Sequence, residues 1–121
     1  MPSKRSILVV DDEESIRDAL GIALEEAGYL VAHASNGEIG FQMVLEGSFD
    51  AVITDRVMPR MTGEQLAQEI KNISPNTPLI LITGHLLKGS RVDLFDEVLL
   101  KPFTMADLLD AVGRVVTRPA S

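Results

Sequence analysis

The sequence predicts an α/β fold in which five parallel strands form a doubly wound sheet with helices on both faces. Short apolar runs of β-favouring residues alternate with helical patterns, in the order β-α repeated five times. The strongest runs, residues 7–10, 51–53 and 79–82, lack polar alternation, which is typical of strands buried on both faces. Residues 30–32 and 98–100 form weaker runs. Right-handed crossovers between parallel strands then place helices on both faces of the sheet.

The predicted helices have apolar faces and recognisable ends. The residues on these faces are Ile16, Leu20, Ala23, Leu24 and Ala27 in the first helix, Phe41, Val44 and Leu45 in the second, Leu66, Ile70 and Ile73 in the third, and Leu108, Val112 and Val115 in the last. Gly28 stands where a C′ glycine ends the first helix. Thr62 and Gln65 have the spacing of a capping box, and Thr104 with Asp107 opens the last helix.

Composition narrows the class of protein. The chain has 121 residues, which we interpret as one domain over residues 1–121. It has no cysteine, which excludes disulfides, thiolate catalysis and Cys-ligated zinc and suits the cytoplasm, where we expect the protein to act. No apolar run approaches the roughly 20 residues of a membrane span, so we expect no membrane contact. The net charge of −7 argues against direct binding of nucleic acid.

Residues with useful chemistry directly follow four of the predicted strands. Asp11 and Asp12 follow the first strand, Asp55 the third, Thr83 the fourth and Lys101 the fifth. In a doubly wound sheet the ligand lies beyond the carboxyl ends of the strands. We therefore expect these five side chains to meet at one edge of the sheet.

Such an edge suits phosphoryl transfer with Mg²⁺. Three neighbouring carboxylates repel one another and raise the pKa of at least one of them, which a hard divalent cation relieves. Oxygen ligands with few protein carboxylates favour Mg²⁺, whose shell is completed by waters and a phosphate oxygen. We expect Asp55 to attack phosphorus in line, while the cation and Lys101 neutralise the equatorial oxygens and Thr83 donates a hydrogen bond to one of them.

Four motifs in this order make the chain resemble the receiver domains of two-component response regulators. The motifs are Asp11-Asp12, Asp55-x-x-Met58-Pro59, Thr83-Gly84 and Lys101-Pro102-Phe103. The resemblance extends from Ile7 to about Val116 and implies the flavodoxin-like, CheY-like strand order 2-1-3-4-5. It also implies a domain that receives a phosphoryl group from a histidine kinase or a histidine phosphotransfer protein. Its change of conformation would then act on a downstream protein that the sequence does not identify.

The resemblance assigns the metal and the phosphoryl group to particular residues. Asp55 corresponds to the phosphoacceptor. Asp12 and Asp55 would ligate Mg²⁺ together with the backbone carbonyl of Val57. Asp11 would act largely through a metal-bound water.

Thr83 and Lys101 match the switch residues of the family, although the region between them departs from it. Thr83 corresponds to the switch hydroxyl. Lys101 corresponds to the lysine that pairs first with the acceptor and then with the phosphoryl group, and a cis peptide bond is expected before Pro102. An aromatic ring is common three residues before this lysine, where Val98 stands. The stretch between the two residues is about one helical turn shorter than usual and includes Lys88-Gly89-Ser90, so we expect a short or irregular fourth helix.

The two histidines differ in their relation to this site. His33 lies on the weak second strand, and we interpret it as structural. His85 lies two residues after Thr83 at the rim of the site, and the sequence fits equally well a role in modulating the phosphorylated state and no role at all. Neither lies on a helix of the phosphodonor kind, which indicates that the chain receives phosphate and does not pass it on from its own histidine.

Three other functions are compatible with this architecture to different degrees. A flavodoxin has the same fold, but the acids at 11–14 would repel a flavin phosphate. A haloacid-dehalogenase-like phosphatase needs an Asp-x-Asp pattern after the first strand, which Asp11-Asp12 does not supply. An interaction module with a receiver fold that works without phosphorylation stays open as an alternative, although the presence of all five site residues argues against it.

Overall fold

The computed structural model of the protein describes residues 4–86 and 88–116, and it confirms the predicted α/β fold. The strands are β1 (Ser6–Val10), β2 (Leu30–Ala34), β3 (Ala51–Asp55), β4 (Leu79–Thr83) and β5 (Glu97–Leu100), and the helices are α1 (Glu14–Glu26), α2 (Gly37–Glu46), α3 (Gly63–Ile73) and α4 (Met105–Val116). The strands are parallel and lie in the order β2-β1-β3-β4-β5. The two ends of the proposed domain, residues 1–3 and 117–121, lie outside the described residues.

The sheet separates two apolar clusters. One cluster packs the sheet against α1 and α4 and includes Ile53 and Leu108, and the other packs it against α2 and α3 and includes Val52 and Leu66. Neighbouring residues of a strand point to opposite faces, so Val52 and Ile53 belong to different clusters. Because both faces are buried, the central strands need continuous apolar sequences. This packing fixes where the carboxyl end of each strand emerges. None of the helices in the described part of the chain is both long enough and apolar enough to cross a bilayer.

The predicted helix ends are confirmed. The Thr62 hydroxyl accepts the Gln65 N–H at 3.1 Å and the Gln65 side chain accepts the Thr62 N–H at 2.9 Å, which makes a complete capping box. Thr104 and Asp107 make the same reciprocal pair at the start of α4, with both distances 3.0 Å. Gly28 has φ of +100°, the left-handed conformation expected just beyond the end of α1.

Three apolar residues that mark helices do not lie in the core. Ala27, at the end of α1, is exposed, and Leu45 of α2 and Ile73 of α3 are 52% and 43% exposed. Leu45 is one residue beyond the buried Val44 and so is rotated about 100° away from it around the helix. The structure confirms the predicted helices, but their buried faces are narrower than the sequence pattern predicts.

The described residues between β4 and β5 contain a short 3₁₀ turn in place of a full helix, which agrees with the short or irregular fourth helix that the sequence predicts. Within these residues, the only helical element is this turn, at Val92–Leu94. Gly89 has φ of +89°, a conformation that few other residues adopt without strain. Leu94 and Phe95 pack against the apolar cluster beneath α2 and α3. We refer to residues 88–96 as the β4–β5 segment.

Candidate functional site

The sheet brings the predicted site residues to its carboxyl edge. Asp55 is the last residue of β3 and Thr83 the last of β4. The backbone N–H of Asp11, just past β1, donates to the carbonyl of Ala34 at 3.1 Å. The backbone N–H of Lys101, just past β5, donates to the carbonyl of Thr83 at 2.8 Å. These ladder-like bonds continue the sheet by one residue and hold the site residues in register.

Three carboxylates form the centre of the site. One oxygen from each of Asp11, Asp12 and Asp55 lies within 4.8 Å of the others. Asp11 and Asp55 are buried, at 1% and 8% exposure, whereas Asp12 is exposed. The Asp11 carboxylate accepts the backbone N–H of Glu13 at 2.9 Å, and its carbonyl accepts a hydrogen bond from Arg17 at 2.6 Å. The start of α1 therefore holds Asp11 in place.

The burial of Asp11 has an electrostatic consequence. Loss of solvation raises the pKa of Asp11 from 3.8 to about 6, and the negative charges of Asp55 and Asp12 act in the same direction. The Glu13 N–H and the Lys101 ammonium act in the opposite direction but do not cancel the effect. The cluster therefore favours binding of a cation, because a positive charge would offset both the lost solvation of the carboxylates and the repulsion between them.

Asp55 combines burial with directed contacts. Its Oδ1 accepts the backbone N–H of Arg56 at 2.9 Å and lies 3.7 Å from Nζ of Lys101. A side chain at Gly63 would collide with the Asp55 carbonyl oxygen, so glycine is needed where α3 begins against β3. The peptide bond between Lys101 and Pro102 is cis, as expected.

The hydroxyl of Thr83 points into the following loop. It is 3% exposed and donates to the backbone carbonyl of His85 at 2.9 Å. In this conformation Thr83 is bonded to its own loop. A change of partner would be needed before it could bond to a group on Asp55.

The other residues singled out in the sequence lie outside the group of three carboxylates. Val57 is 69% exposed and His85 is also exposed, whereas Val98 is half-buried on β5 opposite Leu81. His33 lies on β2 and covers α1, because a Cβ built at Gly21 would be 2.7 Å from its ring.

One charged pair beside the site was missed in the sequence. Arg56, which follows Asp55 directly, has its Nε 3.0 Å from a carboxylate oxygen of Glu64 in the first turn of α3. The available signal was an arginine next to an acidic centre, with an acid at the start of the next helix. That signal alone does not show that the two side chains meet.

A doubly wound sheet that gathers an acid cluster, a hydroxyl and a lysine at its carboxyl edge defines a signalling domain of the receiver class. The chain belongs to the response regulator receiver domain family, whose sequence model matches residues 7–113.

The similar proteins differ in how much of their own length this chain matches. The response regulator receiver protein CpdR of Brucella abortus (strain 2308) is 34% identical over 116 residues, covering 93% of this chain and 97% of CpdR. The transcriptional regulatory protein CusR of Escherichia coli (strain K12) is 31% identical over 120 residues, covering 95% of this chain but 52% of CusR. The DNA-binding transcriptional regulator NtrC of a Bradyrhizobium strain is 37% identical, and this chain spans 25% of it. The chain thus matches nearly all of CpdR, but only about half of CusR and a quarter of NtrC.

Solved structures agree with the fold. A receiver domain protein from Clostridium thermocellum has a TM-score of 0.88 and is 36% identical, covering 94% of this chain and 95% of that chain. The response regulator protein TrrA from Thermotoga maritima, solved in complex with Mg(2+)-BeF, has a TM-score of 0.86 and is 34% identical, covering 92% and 98%.

Proposed function

We propose that this chain takes a phosphoryl group onto Asp55 from a histidine kinase or a histidine phosphotransfer protein and changes conformation in response. The main support is the surroundings of Asp55. Its buried carboxylate lies 3.7 Å from the Lys101 ammonium and within 4.8 Å of two further carboxylates. We keep the cytoplasm as the proposed compartment, which is typical for the family.

In the proposed reaction an oxygen of Asp55 forms a bond to phosphorus while the bond from phosphorus to the donor's imidazole nitrogen breaks. The electron pair of the broken bond stays on the imidazole. Oδ1 of Asp55 is already engaged by the Arg56 N–H, so we assign the attack to Oδ2. The Lys101 ammonium, which faces the same carboxylate, would neutralise charge that develops on the phosphoryl oxygens.

The donor set of the site fits Mg²⁺. Three carboxylate oxygens within 4.8 Å, one of them on a residue whose pKa is raised by burial, suit a hard divalent cation. We propose Asp12, Asp55 and the backbone carbonyl of Val57 as direct ligands and Asp11 as a ligand through water. When bound, Mg²⁺ would neutralise the carboxylates and the incoming phosphoryl group.

Thr83 connects this chemistry to the shape of the protein. For its hydroxyl to donate to a phosphoryl oxygen, it must give up its bond to the His85 carbonyl. The loop after β4 then loses one of its attachments. Val98 is β-branched and has few rotamers, so we propose that the signal travels through the backbone of this loop and the β4–β5 segment.

The experiment that tests this function is phosphorylation by acetyl phosphate in the presence of Mg²⁺, followed by intact mass. We expect the wild-type chain to gain one phosphoryl group and Asp55→Asn to gain none, because an amide is a poor nucleophile. Asp50→Asn is a matched control, because Asp50 lies just before the same strand and its contact with the Ser6 N–H needs only an oxygen acceptor. Equal labelling of Asp55→Asn at another residue would refute the assignment, and no labelling of the wild type would favour the phosphorylation-independent interaction module.

A further inference from the structure

The carboxylate of Glu64, in the first turn of α3, lies between two arginines from different parts of the chain. Its Oε1 is 3.0 Å from Nε of Arg56. Its Oε2 accepts the backbone N–H of Arg91 at 2.9 Å. Arg56 directly follows Asp55, and Arg91 directly precedes the 3₁₀ turn of the β4–β5 segment. One side chain therefore joins the neighbour of the proposed acceptor to that segment.

The Arg56–Glu64 pair is largely removed from water. The two side chains are 18% and 15% exposed. Nε of Arg56 forms no hydrogen bond within the described part of the chain, so charge attraction is what joins it to the carboxylate. Taking two charges out of water costs free energy, and such a pair is weak support for stability. Its value would then lie in selecting one arrangement of the groups that it joins.

The backbone of Arg56 is in direct contact with the proposed acceptor. Its N–H donates to Asp55 Oδ1 at 2.9 Å and to the Ile82 carbonyl at 3.0 Å. Its carbonyl accepts the N–H of Gly63 at 2.9 Å. A change in the charge or position of the Asp55 carboxylate therefore acts on the backbone of Arg56, whose side chain is held by Glu64.

On the other side, Arg91 is the point where the β4–β5 segment turns towards the sheet. Its carbonyl accepts the N–H of Leu94 at 3.3 Å, which closes the 3₁₀ turn. Leu94 and Phe95 then pack against the apolar cluster beneath α3. By holding the N–H of Arg91, Glu64 fixes where this turn begins relative to α3.

The chain contains a matched comparison for Glu64. Residues 36–38 and 62–64 each supply an N-cap, a glycine and a glutamate at the start of a helix, and each glutamate pairs with an arginine that lies between β3 and α3. The Glu38–Arg60 pair, however, is 3.6 Å apart and its side chains are 57% and 76% exposed. The same pattern of N-cap, glycine and glutamate therefore makes a surface pair at α2 and a partly buried bridge at α3.

We propose that Glu64 is a latch: it holds the β4–β5 segment in its resting position and passes a change at Asp55 on to that segment through Arg56. The holding role stands on the contacts described above. The transmitting role rests on the proposed function of Asp55.

The holding role is tested by amide hydrogen exchange of the unmodified protein, comparing Glu64→Ala with Glu38→Ala. Both changes remove a first-turn acid and an arginine pair, but only the first frees the Arg91 N–H. We expect exchange in peptides covering residues 88–96 to rise about tenfold in Glu64→Ala, the effect of losing one charge-assisted hydrogen bond, and to stay at the wild-type rate in Glu38→Ala. Equal rates in the two variants would overturn the latch. If circular dichroism shows that either alanine variant is unfolded, Glu64→Leu and Glu38→Leu give the same comparison, because leucine keeps more of the side-chain volume and has no oxygen to accept the Arg91 N–H.

The transmitting role is tested by repeating the exchange with Mg²⁺ and beryllofluoride, whose binding is followed separately by fluorine NMR. We expect the mimic to bind the wild type and Glu64→Ala alike but to change exchange in residues 88–96 only in the wild type. A response of equal size in both would overturn transmission through Glu64. Failure of the wild type to bind the mimic would instead refute the proposed function, and the result without the mimic would still decide the holding role.

Discussion

At the scale of single residues, Asp11 shows how the site weakens the fold that contains it. Its carboxyl is buried, and its pKa is raised from 3.8 to about 6. Well below pH 3.8 the carboxyl is protonated in the folded and the unfolded chain alike, so folding buries no charge there. As the pH rises through this window the unfolded chain ionises first and the folded state loses stability, and the loss is complete above about pH 6. A shift of roughly two pH units corresponds to about 3 kcal/mol.

We therefore expect Asp11→Asn to be more stable than the wild type when Mg²⁺ is removed by a chelator. Asparagine keeps an oxygen that can accept the Glu13 N–H but has no charge to bury. The gain in the free energy of unfolding should be about 2–3 kcal/mol at pH 8 and should vanish near pH 4. Urea unfolding at the two pH values measures it. A constant difference across this range would show that ionisation of Asp11 is not the cause.

His85 is expected to affect the lifetime of the phosphorylated state. Its exposed side chain lies just past Thr83, where an imidazole nitrogen can orient water for attack on the phosphoryl group. We expect His85→Ala to lose phosphate several-fold more slowly than the wild type. Identical half-lives of the two phosphorylated proteins would contradict this role.

At the scale of elements, the connection between β4 and β5 is the part best suited to respond. Its described residues include a 3₁₀ turn and a glycine with positive φ, and they are attached near the site through Thr83 and through Glu64. Elements with few packed side chains and few backbone hydrogen bonds open at low free-energy cost. This connection is therefore expected to change order before the packed helices do.

We expect the connection between β4 and β5 to respond to a phosphoryl mimic whether or not the side chain of Val98 is present. With beryllofluoride and Mg²⁺, we expect amide protection in residues 84–95 to change. We also expect Val98→Ala to lower stability by about 1 kcal/mol without altering that change, because a half-buried side chain of this size makes few contacts. Hydrogen exchange of the two proteins measures both effects. Changes confined to α1, α2 or α4, with 84–95 unaltered, would rule out the connection as the responding element.

At the scale of the whole molecule, most of the architecture could be predicted because it depends on local patterns that agree with each other. Continuous apolar runs identify strands buried on both faces, and Thr62 with Gln65 marks a helix start that the structure confirms. The site followed from topology, since parallel strands end at the same edge and a residue that follows one strand must lie near a residue that follows the next. Asp55 and Lys101 are far apart in the chain and 3.7 Å apart in space for this reason.

Contacts between side chains of separate loops could not be predicted in the same way. Glu38 and Glu64 each follow an N-cap residue and a glycine, and only the tertiary structure decides that one is exposed and the other is largely shielded from water. The Thr83 hydroxyl is a similar case, because its bond to the His85 carbonyl depends on the path of the loop rather than on the residue types. Leu45 fits a helical apolar face but lies at its border, where a small rotation decides between core and solvent.

The irregular β4–β5 segment also has a consequence for how such a domain can diversify. The proposed reaction uses Thr83 before the connection and Lys101 after it, and both are fixed by the sheet rather than by what lies between them. The entropy cost of closing a loop rises only slowly with its length. The residues between Gly84 and Asp96 can therefore be replaced by a longer or more helical connection without rebuilding the acceptor. Such a graft would change the surface on this side of the domain while Asp55, Thr83 and Lys101 kept their places on the sheet.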